Sequence, residues 1–299
     1  MKKLSLLTLI FMLLFTSCEK TLVDANNFEV SFITDSTFKM QISLDSPGTL
    51  NSFITPFHKK HLEAIKIDGK INGDDFQSIR DIWEFQEAVF GKSFLADIDL
   101  SDCELLAGGC FVYLKKTYEN VEGELVTHVD SIFVQPSKDN AIPPYAFAGL
   151  WLKTITIPST INSIGDYAFK GCEIRSFCMP NSVVEIGKGT FSHAYIQSPI
   201  DMPEGIVSLP DSAFYYATQI PSITLPSSLQ SVEQYCFSNC WHLQEIVAKS
   251  IVPPLCDATM WDNEYIGKRT LYVPAESLNA YRSHPIWGKA NSIKPIITK

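Results

Sequence analysis

Several groupings in the chain bring together side chains able to do chemistry. His58 and His61 lie three apart in Phe-His-Lys-Lys-His, a spacing that on a helix would seat a cation. Lys59 and Lys60 between them repel one, so the pair reads as a surface turn. Residues 185–190, Glu-Ile-Gly-Lys-Gly-Thr, resemble a fragment of a phosphate loop but lack the glycine five residues before Gly187. Asn72, Gly73 and Asp74 begin like a calcium loop. The twelfth position counted from Asp68 is Ile79, where a bidentate acid is required. Asp74 therefore reads as a turn and helix cap. Cys236 and Cys240 are four apart, with no second cysteine pair or histidine couplet to complete a zinc site. His193, His242 and His284 are scattered. The expectation is a protein with no catalytic set, no cofactor and no metal.

One cysteine does carry chemistry. Lys2 and Lys3 precede an apolar run over residues 4–15. Spanning a bilayer takes about 20 such residues, so the run fits the hydrophobic region of a secretory signal. Phe15, Thr16 and Ser17 then lead into Cys18. This stretch resembles a bacterial lipobox, with Phe15 where leucine is usual. The resemblance implies that residues 1–17 are removed and that Cys18 becomes the lipidated first residue. Two or three acyl chains give stable anchoring where one does not. Residues 18–45 are expected to serve as anchor and tether for a soluble, exported body at the outer membrane or cell surface. Its membrane contact would be through the lipid alone. Seven further cysteines remain, and an odd number cannot all pair within one chain. Cys103 and Cys110 could pair; the others read as small buried hydrophobes.

The elements that position everything else come from a repeat. Phe147, Phe169, Phe191, Phe214 and Phe237 are spaced by 22, 22, 23 and 23 residues. Five positions before them stand Ile142, Ile164, Ile186, Leu209 and Val232. Pro158, Pro180, Pro203 and Pro226 follow short alternating runs, which read as strands with one face inward. Proline lacks a donor and stops each strand. Ile161, Val183, Ile206 and Leu229 pack beneath the turn. A coil of this size cannot bury enough apolar surface to stand alone, so neighbours must stack.

The stretches LKTITIPSTINSIGDYAFKGC, VVEIGKGTF, LPDSAF and SITLPSSLQSVEQYCFSNCWHLQEI resemble the leucine-rich repeats of BspA-like bacterial surface proteins. The tail TLYVPAESLNAYRSHPIWGKANSIKPI is similar to the usual ending of such proteins: strand, short helix, tryptophan. The fold class implied is an α+β solenoid, a leucine-rich repeat with short β-strands. Residues 138–299 would form its repeats and C-terminal cap. Residues 46–137 would form an N-terminal capping region of longer, helix-bearing coils. LEAIKID and LADIDLS, 33 residues apart, share the strand frame there, with helical spacing over 74–89 between them. Residues 111–118 and 125–134 suggest a hairpin. Gln197, Ser198 and Pro199 break the third unit's strand lead-in.

The net charge of −9 gives no basic footprint for nucleic acid. The acidic excess sits in the first half: residues 19–137 carry 10 basic and 20 acidic groups. The repeat's outward strand positions form two rows. One runs Thr154, Ser176, Pro199, Ser222, Glu245; the other Thr156, Cys178, Asp201, Thr224, Val247. These mostly small polar residues offer a broad face without a deep pocket, suited to a protein or other macromolecule. Trp151, Tyr195, Tyr215, Tyr216, Trp241 and Trp261 are candidate aromatic anchors on loops. The resemblance implies adhesion or recognition of host or matrix protein. A structural or assembly subunit of the envelope is the alternative.

Overall fold

Period-two alternation places Met40, Ile42 and Leu44 on one side of the strand Thr37–Leu44, all three buried. That strand pairs in parallel with Ala64–Ile71, which pairs with Asp97–Leu105, and Asp97–Leu105 in turn pairs with Thr154–Thr156. The register Ala64↔Asp97 repeats the 33-residue interval of the two related segments. The computed structural model describes residues 20–23, 29–32, 34–35, 37–121, 124–261 and 267–297. Cys18 lies outside them. Thr37–Leu44 falls within the segment expected to be tether, and it is instead an integral strand. Its alternating Met, Ile and Leu needed only a parallel neighbour to be buried.

The helix Gly73–Phe90 crosses between the first long coils. Its cap is Asn72 rather than Asp74: the Asn72 side chain accepts from Asp74 N–H at 3.0 Å, and Asp75 reaches back to Asn72 N–H at 2.9 Å. Gly91 ends it in the left-handed region at φ 69°. Phe76, Ile79, Ile82 and Trp83 face the core, while Phe85 and Val89 stay exposed. Phe111–Val121 and Glu124–Val134 form the expected antiparallel hairpin. Arg80 ties this half to the short coils. Its buried guanidinium donates to Ala148 O at 3.2 Å and Tyr145 O at 3.4 Å and pairs with Glu84. Burial pushes the Arg80 pKa down and that of Glu84 up.

From Ala141 onward each coil contributes short strands to parallel ladders. Ala141–Ile142, Ser163–Ile164 and Glu185–Ile186 form one, in steps of 22 residues. Ser208–Leu209, Ser231–Val232 and Leu255–Cys256 form its counterpart further on. Inside the coils the five phenylalanines stack face on face. Successive centroids are 5.3, 5.4, 5.2 and 5.7 Å apart. Ile161, Val183, Ile206 and Leu229 are buried, as the repeat requires. Two left-handed positions recur at Phe−2 and Phe+2 in every coil, filled for instance by Tyr167 (φ 56°) and Gly171 (φ 66°). They bend the backbone around each ring.

The C-terminal segment packs on the last coil. Thr270–Val273 pairs with Glu245–Ala248 and Ser292–Pro295, the helix Leu278–Ser283 follows, and Trp287 is buried. Trp287 Nε1 donates to Pro254 O at 2.9 Å. Among the described residues no helix is long and apolar enough to cross a membrane.

Candidate functional site

The strand ladders bury one set of side chains and turn the other outward. Ile65, Ile67, Ile98, Leu100, Ile155 and Ile157 point inward. Outward, the register sets Gln41, Lys66, Asp99 and Thr156 in one row. Lys39, Ala64, Asp97, Thr154 and Ser176 form the next. From Lys39 and Gln41 as far as Thr154 and Thr156, these rows floor a shallow depression of about 380 Å³. Its charge is mixed: lysines on the early strands, aspartates on the strand beside them. Lys66 Nζ lies 2.6 Å from an Asp102 carboxylate oxygen and 3.7 Å from Asp68. The Asp102 contact raises the Lys66 pKa, and Lys66 in turn lowers that of Asp102. Thr154 donates its hydroxyl to Asp97 at 2.6 Å, and Gln41 donates to Asp68 at 3.1 Å. All of these are surface contacts, so they set pattern and specificity more than stability.

Of the expected outward residues, Thr154, Thr156, Ser176 and Cys178 are exposed at this end. Asp201, Ser222, Thr224 and Glu245 belong to a second panel, whose strands Ile200–Asp201, Ser222–Leu225, Glu245–Ala248 and Thr270–Val273 pair in parallel. There Asp201 and Glu245 are exposed, while Ser222 and Thr224 are half-buried. Tyr272 donates its hydroxyl to Glu245 at 3.3 Å. A cleft of about 260 Å³ opens beside this panel, with Trp241, Glu245 and Lys268 in its wall.

The two rows are interrupted at the third unit, where Gln197, Ser198 and Pro199 break the strand lead-in. Strand pairing reaches Ser176 and resumes at Ile200. Pro199 stands where Ser176 needs a neighbour and has no N–H to give. Phe177 N–H donates instead to the Ser198 hydroxyl at 3.1 Å. Residues 177–179 consequently form no strand, and Cys178 and Asp201 are not ladder partners. The Phe191–Phe214 stack continues across the gap at 5.2 Å. The core is continuous where the sheet is not.

Lys39, Gln41, Lys66, Asp97 and Asp99 were missed as site residues. For Lys66 and Asp99 the signal was present, since both occupy the outward place between apolar residues in the frame that Thr156 occupies in ITI. Of the aromatic candidates, Trp151, Tyr195 and Trp241 are exposed and Tyr215 and Tyr216 half-buried. Trp261 is buried, stacked on Phe237 at 5.3 Å, and takes the ring's place in a further coil.

The other groupings are structural. His58 caps its own helix through Thr55, and His61 packs between Phe57 and Phe38. In the loop-like stretch, Thr190 donates to Gly187 O at 2.6 Å and Lys188 N–H to Asp166, which closes a turn. Cys103 is a free thiol donating to Ile67 O at 2.9 Å, and Cys110 is free and exposed. Cys240 donates to Phe214 O at 3.0 Å, and Cys236 is buried and free. Among the described residues no three His, Cys, Asp or Glu converge on a metal position.

Residues 140–264 match, in six copies, the family described as BspA type Leucine rich repeat region. This stretch is a BspA-type leucine-rich repeat region. The five stacked phenylalanines and Trp261 supply six rings over the same span. A leucine-rich repeat protein from Bacteroides ovatus is 14% identical, with 90% of this chain and 75% of that chain covered and a TM-score of 0.38. A leucine rich cell surface protein from Faecalibacterium prausnitzii is also 14% identical, over 95% and 96% of the two chains, at a TM-score of 0.28. The pneumococcal vaccine antigen PcpA is 12% identical, over 95% and 100%, at 0.27. No curated protein matches the chain.

Proposed function

We propose that this protein is a non-enzymatic, lipid-anchored surface binder that takes a macromolecular partner on the outward face of its strand ladders. In this reading the helix-bearing coils and the BspA-type repeats form one solenoid hung from Cys18. The partner is a protein of the host or its matrix, and the activity is adhesion. One observation carries the proposal: the depression floored by Gln41, Lys66, Asp99 and Thr156 is wide, shallow and lined by both charge signs. Small-molecule sites are enclosed clefts. A broad, open face that carries both charge signs suits electrostatic matching to a large partner.

The test is binding of the soluble body to immobilised extracellular-matrix proteins by interferometry. Thr156→Arg places a bulky cation on the floor without disturbing the core, because Thr156 is exposed. Affinity for the bound partner should fall tenfold or more, about 1.4 kcal/mol. Unchanged affinity in the folded variant moves the site off this face.

A further inference from the structure

A second surface runs along the coils beside the strand face, just beyond the stacked phenylalanines. Four residues beyond each stacked phenylalanine stand Trp151, Glu173, Tyr195, Thr218 and Trp241. The place is the same in each coil, so the side chains form one edge. Trp151 is a parallel bridge partner of Glu173, and Glu173 is in register with Tyr195. His193 N–H donates to Tyr215 O at 2.7 Å and His242 N–H to Thr218 O at 3.2 Å, which carries the stack on to Trp241. The rings are exposed by 63%, 40% and 46%. Trp241 is braced edge-on by Tyr216 at 5.3 Å, and Tyr216 is stacked on His193 at 5.1 Å.

The order along the edge is ring, carboxylate, ring, hydroxyl, ring. Glu173 and Tyr195 sit on adjacent strands, and the coils beyond stack with ring centroids 5.2 and 5.7 Å apart, so with strands about 4.8 Å apart successive rings recur at about 10 Å. Large apolar side chains held open to water at a fixed interval, with a polar group in every gap, call for a ligand of matching period. A hexose ring has an apolar C–H face and a polar hydroxyl rim. In an extended β-1,4-linked chain alternate sugars present the same face, and each sugar advances close to one coil. Three such faces would lie on Trp151, Tyr195 and Trp241. Glu173 would accept hydroxyls from the sugar between the first two, and Thr218 would meet the rim of the next. Protein anchors instead cluster in a desolvated pocket. A polyproline helix repeats at about 9.3 Å, but it docks in grooves between neighbouring aromatics, and here Glu173 and Thr218 fill the gaps.

We propose that this edge binds an extended β-1,4-linked polysaccharide, independently of the strand face. The probes are soluble β-1,4-glucan and β-1,4-mannan in native affinity gels, and the corresponding hexasaccharides by calorimetry. An α-1,4-linked hexasaccharide, whose chain coils, is the control. At least one β-1,4-linked probe should bind. Trp151→Ala and Tyr195→Ala should each weaken it tenfold or more, while Tyr195→Phe keeps the ring and the binding. Thr156→Arg should leave it unchanged, which separates this edge from the strand face. Melting curves check that the variants fold, as expected for exposed side chains. The proposal is overturned if no β-1,4-linked probe binds, if the α-linked control binds equally, or if folded Trp151→Ala and Tyr195→Ala bind as the parent does. Capture of a polyproline peptide at the edge in place of the glycans also overturns it.

Discussion

Phe169→Ala tests the stack that holds the coils together. Phe169 has no exposed surface. Its ring lies 5.3 Å from Phe147 at 17°, 5.4 Å from Phe191 at 6°, and 5.0 Å edge-on from Phe177. Truncating a buried phenylalanine costs about 3–5 kcal/mol. Ring pairs contribute about 0.5–1.5 kcal/mol each beyond area, and three are lost here, so the upper half of that range is expected. The damage should also travel. Phe147 N–H donates to Ala168 O at 2.9 Å and Phe169 N–H to Thr190 O at 2.9 Å, so both flanking coils lean on this one. Urea unfolding of the soluble body measures the loss, and amide exchange in the coils of Phe147 and Phe191 measures its spread. Phe133→Ala, at a ring 77% exposed, is the control and should stay within about 0.5 kcal/mol. A Phe169→Ala loss below about 1 kcal/mol, or protection lost in its own coil alone, would refute nearest-neighbour support.

Three further outcomes follow from particular residues. Cys18→Ala should abolish labelling by radioactive palmitate and release the body from membranes; firm membrane retention would contradict lipid anchoring. In the soluble body at pH 8, the exposed Cys110 and Cys178 should react fast with Ellman's reagent. Cys103 and Cys172, whose pKa burial pushes up to about 12, and Cys256, at about 11, remain protonated at that pH and should react far more slowly, as should Cys236. A third fast thiol in the folded body would refute this burial pattern. Gly171→Val should cost about 1–2 kcal/mol, because φ is 66° there although a Cβ would meet only the Gly149 Cα, at 4.0 Å. Gly171→Asn should cost less, since Asn239 holds φ 60° at the same place two residues beyond its own ring; equal losses in thermal unfolding would show that φ does not decide the matter.

Much of the fold was legible because a repeat states each constraint several times over. One buried phenylalanine means little, whereas five at a fixed interval, each with a branched residue five places before it, leave little choice of which face goes inward. The helix Gly73–Phe90 and the hairpin were legible from local periodicity. Both also show its limit. The helix period runs through Asp74, yet the cap is Asn72, and that choice lies in a reciprocal bond between Asn72 and Asp75.

Local pattern thus determined which side chains are buried and which residues share a place in successive coils. Tertiary structure decided which coils pair. Thr37–Leu44 looks like any short alternating run until Ala64–Ile71 lies beside it. The outward rows share a frame from Lys66 to Val247, but continuity depends on whether Pro199 has a hydrogen to donate to the neighbouring strand, and it has none. The ring edge has the same origin. Trp151 and Tyr195 are 44 residues apart and Tyr195 and Trp241 are 46 apart, and only the parallel register and the bonds between stacked coils bring them to one edge. Side-chain period is a property of one segment. Register is a contract between two segments, fixed by backbone groups that every residue type carries alike, and composition therefore cannot reveal it.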